Sequence, residues 1–525
     1  MNNPPVLVFF KWRFPEERLA PFVLANKRLT QKMLAPFFRV VVEEGDCDLA
    51  EVCDRHQPDI LLFESGSGTL PFQRPRIANV RANPEVPRIG ILESDPHSGS
   101  RSVFIADMER WGVETFFSRM TPMPEYFTEI ADRLYLAPWH ADTEVFRDWG
   151  LEKTTDVALT GGCSHVYPWR EKIFPLLAER FLTTRVVHGG YSKEWAGHMP
   201  WGRDYSRLLN TARFSASCGT AWKIMVKKHL EIPASRCCLV AEDTASLAAA
   251  GFRDMENCVL GDERDIPDKM AALLADPGRL EEITGAGYSL VRERHLAEHR
   301  PQVSQWLELS RRLGPGERIV QENPFSDLRV APADSGLGNT PLSNNPEDRL
   351  YLEQGRALLR RGDFRGASRL FGQALNLAWH MPEANLGMAL ADLLAGRPDS
   401  AFERLKITLK WCMKQYRSHQ PNPVEWAWMI VVSLCRGRDV AALSMSRKYP
   451  DLRHEELERA RAVVALLLDG AHGLEEKLLP SRPACIHAPV YEDALAWWGA
   501  AASMLDACGR SEMAASLRRA LTAAR

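Results

Sequence analysis

The residues best placed to do chemistry in this 525-residue chain lie between Cys218 and Asp243. Gly219-Thr220 offers a turn at the end of an expected strand. Lys223, Lys227 and Glu231 follow at successive i, i+4 spacings, and a helix expected over 223–230 would set them on one stripe. Lys228 stands three residues before Glu231. Lysines and the N–H groups of a helix start hold phosphate. One carboxylate can accept both hydroxyl hydrogens of a ribose diol. The same spacing also describes a solvated helix face with ordinary Lys–Glu pairs, which are common and weak. The residues alone leave both readings open.

An alternation of strands and helices must position this stretch. Short apolar runs stand at 6–10, 39–43, 59–64 and 88–93, bounded by Gly, Pro and Asp. Such runs suit strands buried on both faces of a parallel sheet. Functional loops in these sheets lie beyond the carboxyl ends of the strands, here 64–69 and 93–99. A second alternation starts at Asp156, runs into Gly161-Gly162, and continues through an expected helix at 169–181 to helices ending near Arg294. Two such units in tandem predict Rossmann-like domains over 1–150 and 151–313. Residues 314–345, rich in Gly, Pro, Ser and Asn, read as a linker or surface strap.

From Pro346 the pattern is helical and rich in Ala and Leu. Tyr351, Gly355, Ala367, Phe371 and Ala374 stand at tetratricopeptide spacings. A looser second unit begins near Glu383, and further helix pairs are expected around 425–448, 455–478 and 491–524. The predicted fold class is therefore α/β plus all-α: two Rossmann-like domains, then a tetratricopeptide-like (TPR-like) helical-repeat domain over 346–525. Most of its tryptophans (Trp379, Trp411, Trp426, Trp428, Trp497, Trp498) are expected in a core, with a groove as the alternative.

A net charge of -2 gives no general pull towards nucleic acid. Eleven cysteines without a Cys-x-x-Cys pair argue against a zinc ribbon or a disulfide framework and fit a reducing cytoplasm. Cys237-Cys238 read as buried small residues. The first ten residues read as a strand rather than a signal peptide, and no window approaches a membrane span. Asp46-Cys47-Asp48 has a metal-motif pattern but is expected in a loop, and no metal is assigned.

Ordered motifs add a resemblance. They include Asp156-Val-Ala-Leu-Thr-Gly-Gly162, Tyr167-Pro-Trp-Arg170, Gly202-Arg-Asp-Tyr205, Lys228-His-Leu-Glu-Ile-Pro-Ala234, Leu239-Val-Ala-Glu-Asp243 and Val291-Arg-Glu-Arg-His295. With looser pieces at Glu93-Ser-Asp-Pro-His97 and Pro138-Trp-His140, the segment from about 85 to 300 resembles GT-B glycosyltransferases of the CgeB-like type. The resemblance implies a nucleoside-diphosphate sugar donor, a UDP-sugar by first choice, and no tightly bound cofactor. It implies that Glu231 holds the donor ribose and Lys223 or Lys227 the diphosphate, with Gly161 and Gly162 admitting the ligand; Thr220 belongs to the turn. Arg170 and Tyr205 fall at family-like positions, Tyr205 equally as a packing residue. Many retaining enzymes of this fold carry Glu-x7-Glu; here the earlier position is Lys223, so the stereochemistry is open.

An inverting transfer needs a base for the acceptor hydroxyl. Asp95 and His97 are the first candidates and Glu64 the third, with His140 and His188 behind them. Fused helical repeats imply a protein acceptor or partner; a homo-oligomer is also compatible. The alternatives are transfer to a lipid-linked or cell-surface glycan, and a non-catalytic scaffold.

Overall fold

The computed structural model describes residues 3–66, 73–196, 199–335, 339, 342–475, 479 and 485–524. Parts of the expected 64–69 loop and of the helix pair ending at 478 therefore lie outside the described residues. The chain divides into two compact units. One comprises Met1–Glu93, Trp111–Glu125 and Ala131–Asn344; the other comprises Ser94–Arg110, Tyr126–Ile130 and Asn345–Arg525.

The first unit holds two parallel sheets. Its N-terminal half contains β1 (Val6–Lys11), β2 (Arg39–Glu44), β3 (Cys47–Asp48), β4 (Ile60–Ser65), β5 (Ile77–Ala78), β6 (Arg88–Leu92), β7 (Thr115–Ser118) and β8 (Leu134–Leu136). Six of them form a sheet in the order β2-β1-β4-β6-β7-β8, while β3 pairs with β5. All six residues of β4 are buried, as a continuous apolar run requires. The edge strand β2 is only partly buried and ends in Glu43-Glu44, charges that discourage further pairing. Asp46-Cys47-Asp48 lies partly on β3 rather than in a loop. The Asp48 carboxylate caps the following helix by accepting the Ala50 N–H at 2.9 Å.

The second half carries β9 (Thr155–Thr160), β10 (Thr183–Val186), β11 (Ala212–Ser217), β12 (Cys238–Ala241) and β13 (Val259–Leu260), in the order β10-β9-β11-β12-β13. Its strands alternate between two cores. Val157, Leu159, Cys238 and Val240 face one; Ala158, Leu239 and Ala241 face the other. Period two with both faces buried explains why these strands read as unbroken apolar runs. Cys237 and Cys238 are buried and free.

Residues 314–345, expected as a linker, contain the antiparallel hairpin β14 (Glu317–Val320) and β15 (Arg329–Pro332). Its Ile319 and Leu328 pack with Val303, Trp306 and Leu307 against the N-terminal sheet. Short strands among turn residues carry too little periodicity to read from sequence. Within this unit the two halves also meet at the Leu19–Ser192 bridge, and the Ala20 N–H donates to Tyr191 O at 3.0 Å.

The second unit is helical. Helices Glu347–Arg360, Phe364–Leu377, Pro382–Leu394 and Pro398–Lys410 lead a series ending at Ala494–Ala507 and Ser511–Ala524. A Cβ at Gly355 or Gly387 would fall 2.7 or 2.6 Å from the Phe371 ring, so both glycines let their helices close on that ring. Trp428, Trp497 and Trp498 are buried, whereas Trp379 is 57% exposed. Helix Ser100–Trp111, which follows β6 in the chain, contributes Arg101 to this unit's core. Its guanidinium donates to both oxygens of Glu383 at 2.9 Å. Arg349 donates to the same carboxylate at 3.0 Å. Among the described residues no helix is long and apolar enough to cross a membrane.

Candidate functional site

The carboxyl ends of β9 and β11 and the helices beside them converge on Gly161. This residue has φ +105, in the region that favours glycine. A Cβ there would lie 2.9 Å from both the Arg170 guanidinium and the Lys228 ammonium. Arg170, 4% exposed, comes from the helix Pro168–Arg180. It donates to Gly162 O at 3.1 Å, and its plane lies over the Tyr167 ring at 4.6 Å. Lys228 opens the helix Lys228–Ala234 and donates to Thr160 O at 3.1 Å and Thr160 Oγ1 at 3.2 Å. Among the described residues no carboxylate forms an ion pair with Arg170 or Lys228. Two adjacent cations held out of bulk water without an anion are unfavourable unless an anionic ligand completes the site.

Electrostatics register that proximity. Burial and then the neighbouring Arg170 push the Lys228 ammonium down to about 7. Half-buried His188 is lowered by desolvation, then by Lys228 and Arg170. His229 is pushed down to about 3 by burial and then Arg170, so its imidazole is neutral. Tyr205 donates to or accepts from Thr160 Oγ1 at 2.8 Å while packing in the core. Burial, followed by the Glu231 carboxylate, raises its phenol. Glu231, with its side chain 8% exposed, pairs with Lys227 at 3.2 Å.

The expected helix over 223–230 is corrected. Residues 219–224 form a tight turn closed by Ile224 N–H donating to Gly219 O at 3.0 Å, and 224–226 are not helical. A Cβ on Gly219 would meet that region's backbone at 1.9 Å, so only glycine fits. Thr220 and Lys223 sit at φ +66 and +51, left-handed positions a helix cannot contain. The common stripe therefore reduces to Lys227 and Glu231. Lys223 instead lies 3.9 Å from Glu242.

Gly161, Gly162, Arg170, Tyr205, Lys227 and Glu231 are thus gathered near one another, with Thr220 and Lys223 in the adjoining turn. Sequence reasoning passed over Lys228 as a site residue. Its place in the Lys227-Lys228 doublet, three before Glu231, was the available signal. Asp95 and His97 belong to the helical unit. Asp95 is exposed; His97 is buried, its ring 5.5 Å from that of His380. Desolvation, then His380 and Arg101, lower the His97 imidazole well below its usual range. Glu64 is fully buried at 3.4 Å from Lys27. His140 is pushed down to about 3 by burial and then by Arg119 and Arg300.

Residues 162–308 match the glycosyl transferase-like family. This segment is a glycosyltransferase domain, and the chain is an enzyme of that kind. Two parallel α/β sheets in tandem, the second carrying the match, make this part GT-B-like. No curated protein matches the sequence. Among solved structures, sucrose-phosphate synthase from Thermosynechococcus elongatus is similar at 9% identity and a TM-score of 0.41, covering 59% of this chain and 99% of that one. HepE from Anabaena in complex with UDP and glucose is similar at 9% identity and 0.40, covering 58% and 99%. The pneumococcal O-GlcNAc transferase GtfA in complex with UDP and GlcNAc is similar at 10% identity and 0.29, covering 47% and 56%.

The Lys228 shift gives a pH signature. A diphosphate bound at Lys228 would favour the protonated ammonium, so UDP affinity should be greatest between about pH 6 and 7. Between about pH 7 and 9, where UDP's own phosphate (second pKa about 6) is already ionised, affinity should fall by up to about tenfold per unit. Stability of the free protein should move the other way. An unfolded lysine keeps its proton to about 10.4, so this group adds stability as pH rises from about 7 towards 10.4 and none below. Calorimetric UDP titrations across this range should show the fall, and Lys228→Met should flatten it.

Proposed function

We propose that the enzyme transfers a sugar from a nucleoside-diphosphate sugar, a UDP-sugar by first choice, to a protein acceptor. The carrying observation is the pair of cations Arg170 and Lys228, which lack a carboxylate ion-pair partner among the described residues, against the left-handed Gly161. It is a ready anion site at the carboxyl ends of a parallel sheet, where nucleotides bind in such folds. Gly161 and Gly162 admit the diphosphate, and Arg170 and Lys228 neutralise it. Glu231, beside Tyr205 and Lys227, takes the ribose hydroxyls. Lys223 and Thr220 shape the turn next to it. The helical unit, with Gly355 and Gly387 closed on Phe371 in the manner of a TPR-like repeat, recruits the acceptor. The reaction belongs in the cytoplasm.

The acceptor hydroxyl needs a base as it attacks the anomeric carbon. Of Asp95 and His97, Asp95 is the better suited: it is the more exposed, and desolvation raises its carboxyl, which makes it a stronger base, while burial leaves the His97 imidazole weakly basic. Asp95→Asn should lower kcat by about 10² to 10⁴ with little change in donor KM. Equal kcat in the variant removes Asp95 from this role.

The reading is tested with UDP-, GDP-, TDP- and CMP-sugars, measuring thermal shift and nucleotide release. One nucleotide class should raise Tm and be turned over. A protein that responds to none is a scaffold rather than a transferase. Transfer to a glycan but not to protein would replace the acceptor class.

A further inference from the structure

We propose that the helical unit carries a binding site for a divalent zinc-type cation, built from Glu129, His454 and Cys485. Their donor atoms (a carboxylate oxygen, a ring nitrogen and a thiol sulfur) all lie within 4.8 Å of one another. His454 and Cys485 are 6% and 1% exposed. The three come from distant chain segments: Tyr126–Ile130, the residue that caps the helix Glu455–Leu468, and the stretch before the helix Ala494–Ala507.

The donor set selects the ion. Thiolate, imidazole and carboxylate together suit zinc, whereas magnesium and calcium take oxygen ligands. Ligands at zinc's usual distances stand roughly 3.5 Å apart in a tetrahedron. Side-chain rotations of about 1 Å would therefore close the present spacing around an ion. Room for the fourth ligand exists. Glu129 and His454 line a cavity of about 30 Å³ that is also bordered by Glu455, Glu456 and Glu492, with Arg459 the one cation against these carboxylates. That is enough for one water, and carboxylates outnumber the Arg459 guanidinium in the lining.

Two features oppose binding: burial, then the Glu129 carboxylate, raise the Cys485 thiol, whose Sγ accepts the His487 N–H at 3.4 Å, and His454 already caps a helix. His454 Nδ1 accepts the Glu456 N–H at 3.2 Å, capping its helix. Ligation through Nε2 moves the ring proton to Nδ1 and breaks that hydrogen bond. A helix cap is a small term beside cation–ligand bonds of a structural zinc site. The Cys485 thiol gives its proton to solvent and binds as thiolate. The ion would then tie the three segments together, as structural zinc does elsewhere.

The test uses the full chain in a Cys163→Ser background, because Cys163 is exposed and could bind metal adventitiously. Metal-free protein is titrated with Co²⁺ and desalted. The expected result is one retained equivalent, with tetrahedral visible bands and a thiolate-to-cobalt charge-transfer band in the near ultraviolet. Cys485→Ser should abolish the charge-transfer band, and His454→Ala should weaken binding by at least ~10-fold. No retained cobalt, an octahedral spectrum, or an unchanged charge-transfer band in Cys485→Ser would each overturn the site. Should either variant fail to fold, the unsubstituted ligand set still decides. Zn²⁺ must raise its Tm and EDTA must return it to the metal-free value; an indifferent Tm rejects the proposal.

Discussion

Under the proposed UDP-sugar reading, Glu231→Ala is expected to eliminate a thermal shift by UDP while leaving the unliganded protein folded. Two ribose hydroxyls donating to one carboxylate make two charge-assisted hydrogen bonds, each contributing about 1.5–3 kcal/mol. Their loss corresponds to roughly 10² to 10⁴ in Kd, at about 1.4 kcal/mol per tenfold. The cost to the free protein should be small. The partner left behind, Lys227, has a side chain 28% exposed, so its charge can be solvated and the pair itself contributes at most about 1 kcal/mol. Isothermal titration with UDP measures the first effect and thermal unfolding without ligand the second. Glu231→Gln separates charge from shape: it keeps one acceptor oxygen and should retain part of the affinity. UDP binding to Glu231→Ala with wild-type affinity would remove Glu231 from the site and, with it, the assignment of the ribose subsite.

The largest stability effect is expected from Glu383→Ala. The carboxylate is 3% exposed as a residue and receives Arg101, which is wholly buried, and Arg349. Asp348 accepts the Tyr126 hydroxyl at 3.0 Å in the same cluster. Removing one member of a buried ion pair strands its partner's charge and costs about 3–5 kcal/mol. For a unit of this size that is roughly 10 °C in Tm. Replacing Arg101 and Glu383 together with apolar residues should cost far less, because no charge is then left buried. A Glu383→Ala protein as stable as the parent would mean that water reaches Arg101. The pH dependence follows the same pair. Burial alone would raise the Glu383 carboxyl, but Arg101 and Arg349 outweigh it and hold it well below the usual carboxylate range. A depressed carboxyl contributes stability above its unfolded value of about 4.3, and this is lost as pH falls through the folded value. Acid unfolding of the helical unit should therefore be shallower in Glu383→Gln, which has already lost that contribution.

The same cluster bears on dissection of the chain. A cut before Asn345 removes Glu383 and Asp348 from Arg101 and Tyr126, residues that precede it by more than 200 positions. Truncation there should expose or unfold the Ser100–Trp111 helix, so the helical unit is not a detachable tail.

Much of the architecture was legible in the sequence because burial of a strand or helix is a local property. The apolar runs at 6–10, 59–64 and 88–93 lie on β1, β4 and β6, and the Asp156 run lies on β9. Side-chain alternation and turn residues report burial one element at a time. The glycines were legible in part: Gly161 and Gly219 mark the ends of strands, and the structure shows a left-handed φ at one and backbone contact at the other. The helix expected at 223–230 failed because Lys–Glu spacing cannot reveal that Thr220 and Lys223 adopt left-handed φ values. Contacts to distant residues, the Ala221 N–H donating to Val166 O at 2.9 Å and the Met225 N–H to Thr121 Oγ1 at 3.4 Å, override that local preference.

By itself the sequence determined the order of elements, the two-sheet α/β part, the helical remainder and the residue types available for chemistry. Only the tertiary structure decided which of those residues meet. Arg170 and Lys228 are 58 positions apart, yet both stand 2.9 Å from the same virtual Cβ on Gly161. Arg101 and Glu383 are 282 apart, and Glu129, His454 and Cys485 come from three segments. Periodicity records whether a side chain is buried, but not against what. The partner of a buried charge is set by packing between distant elements, and the cost of leaving that charge unpaired makes the pairing specific.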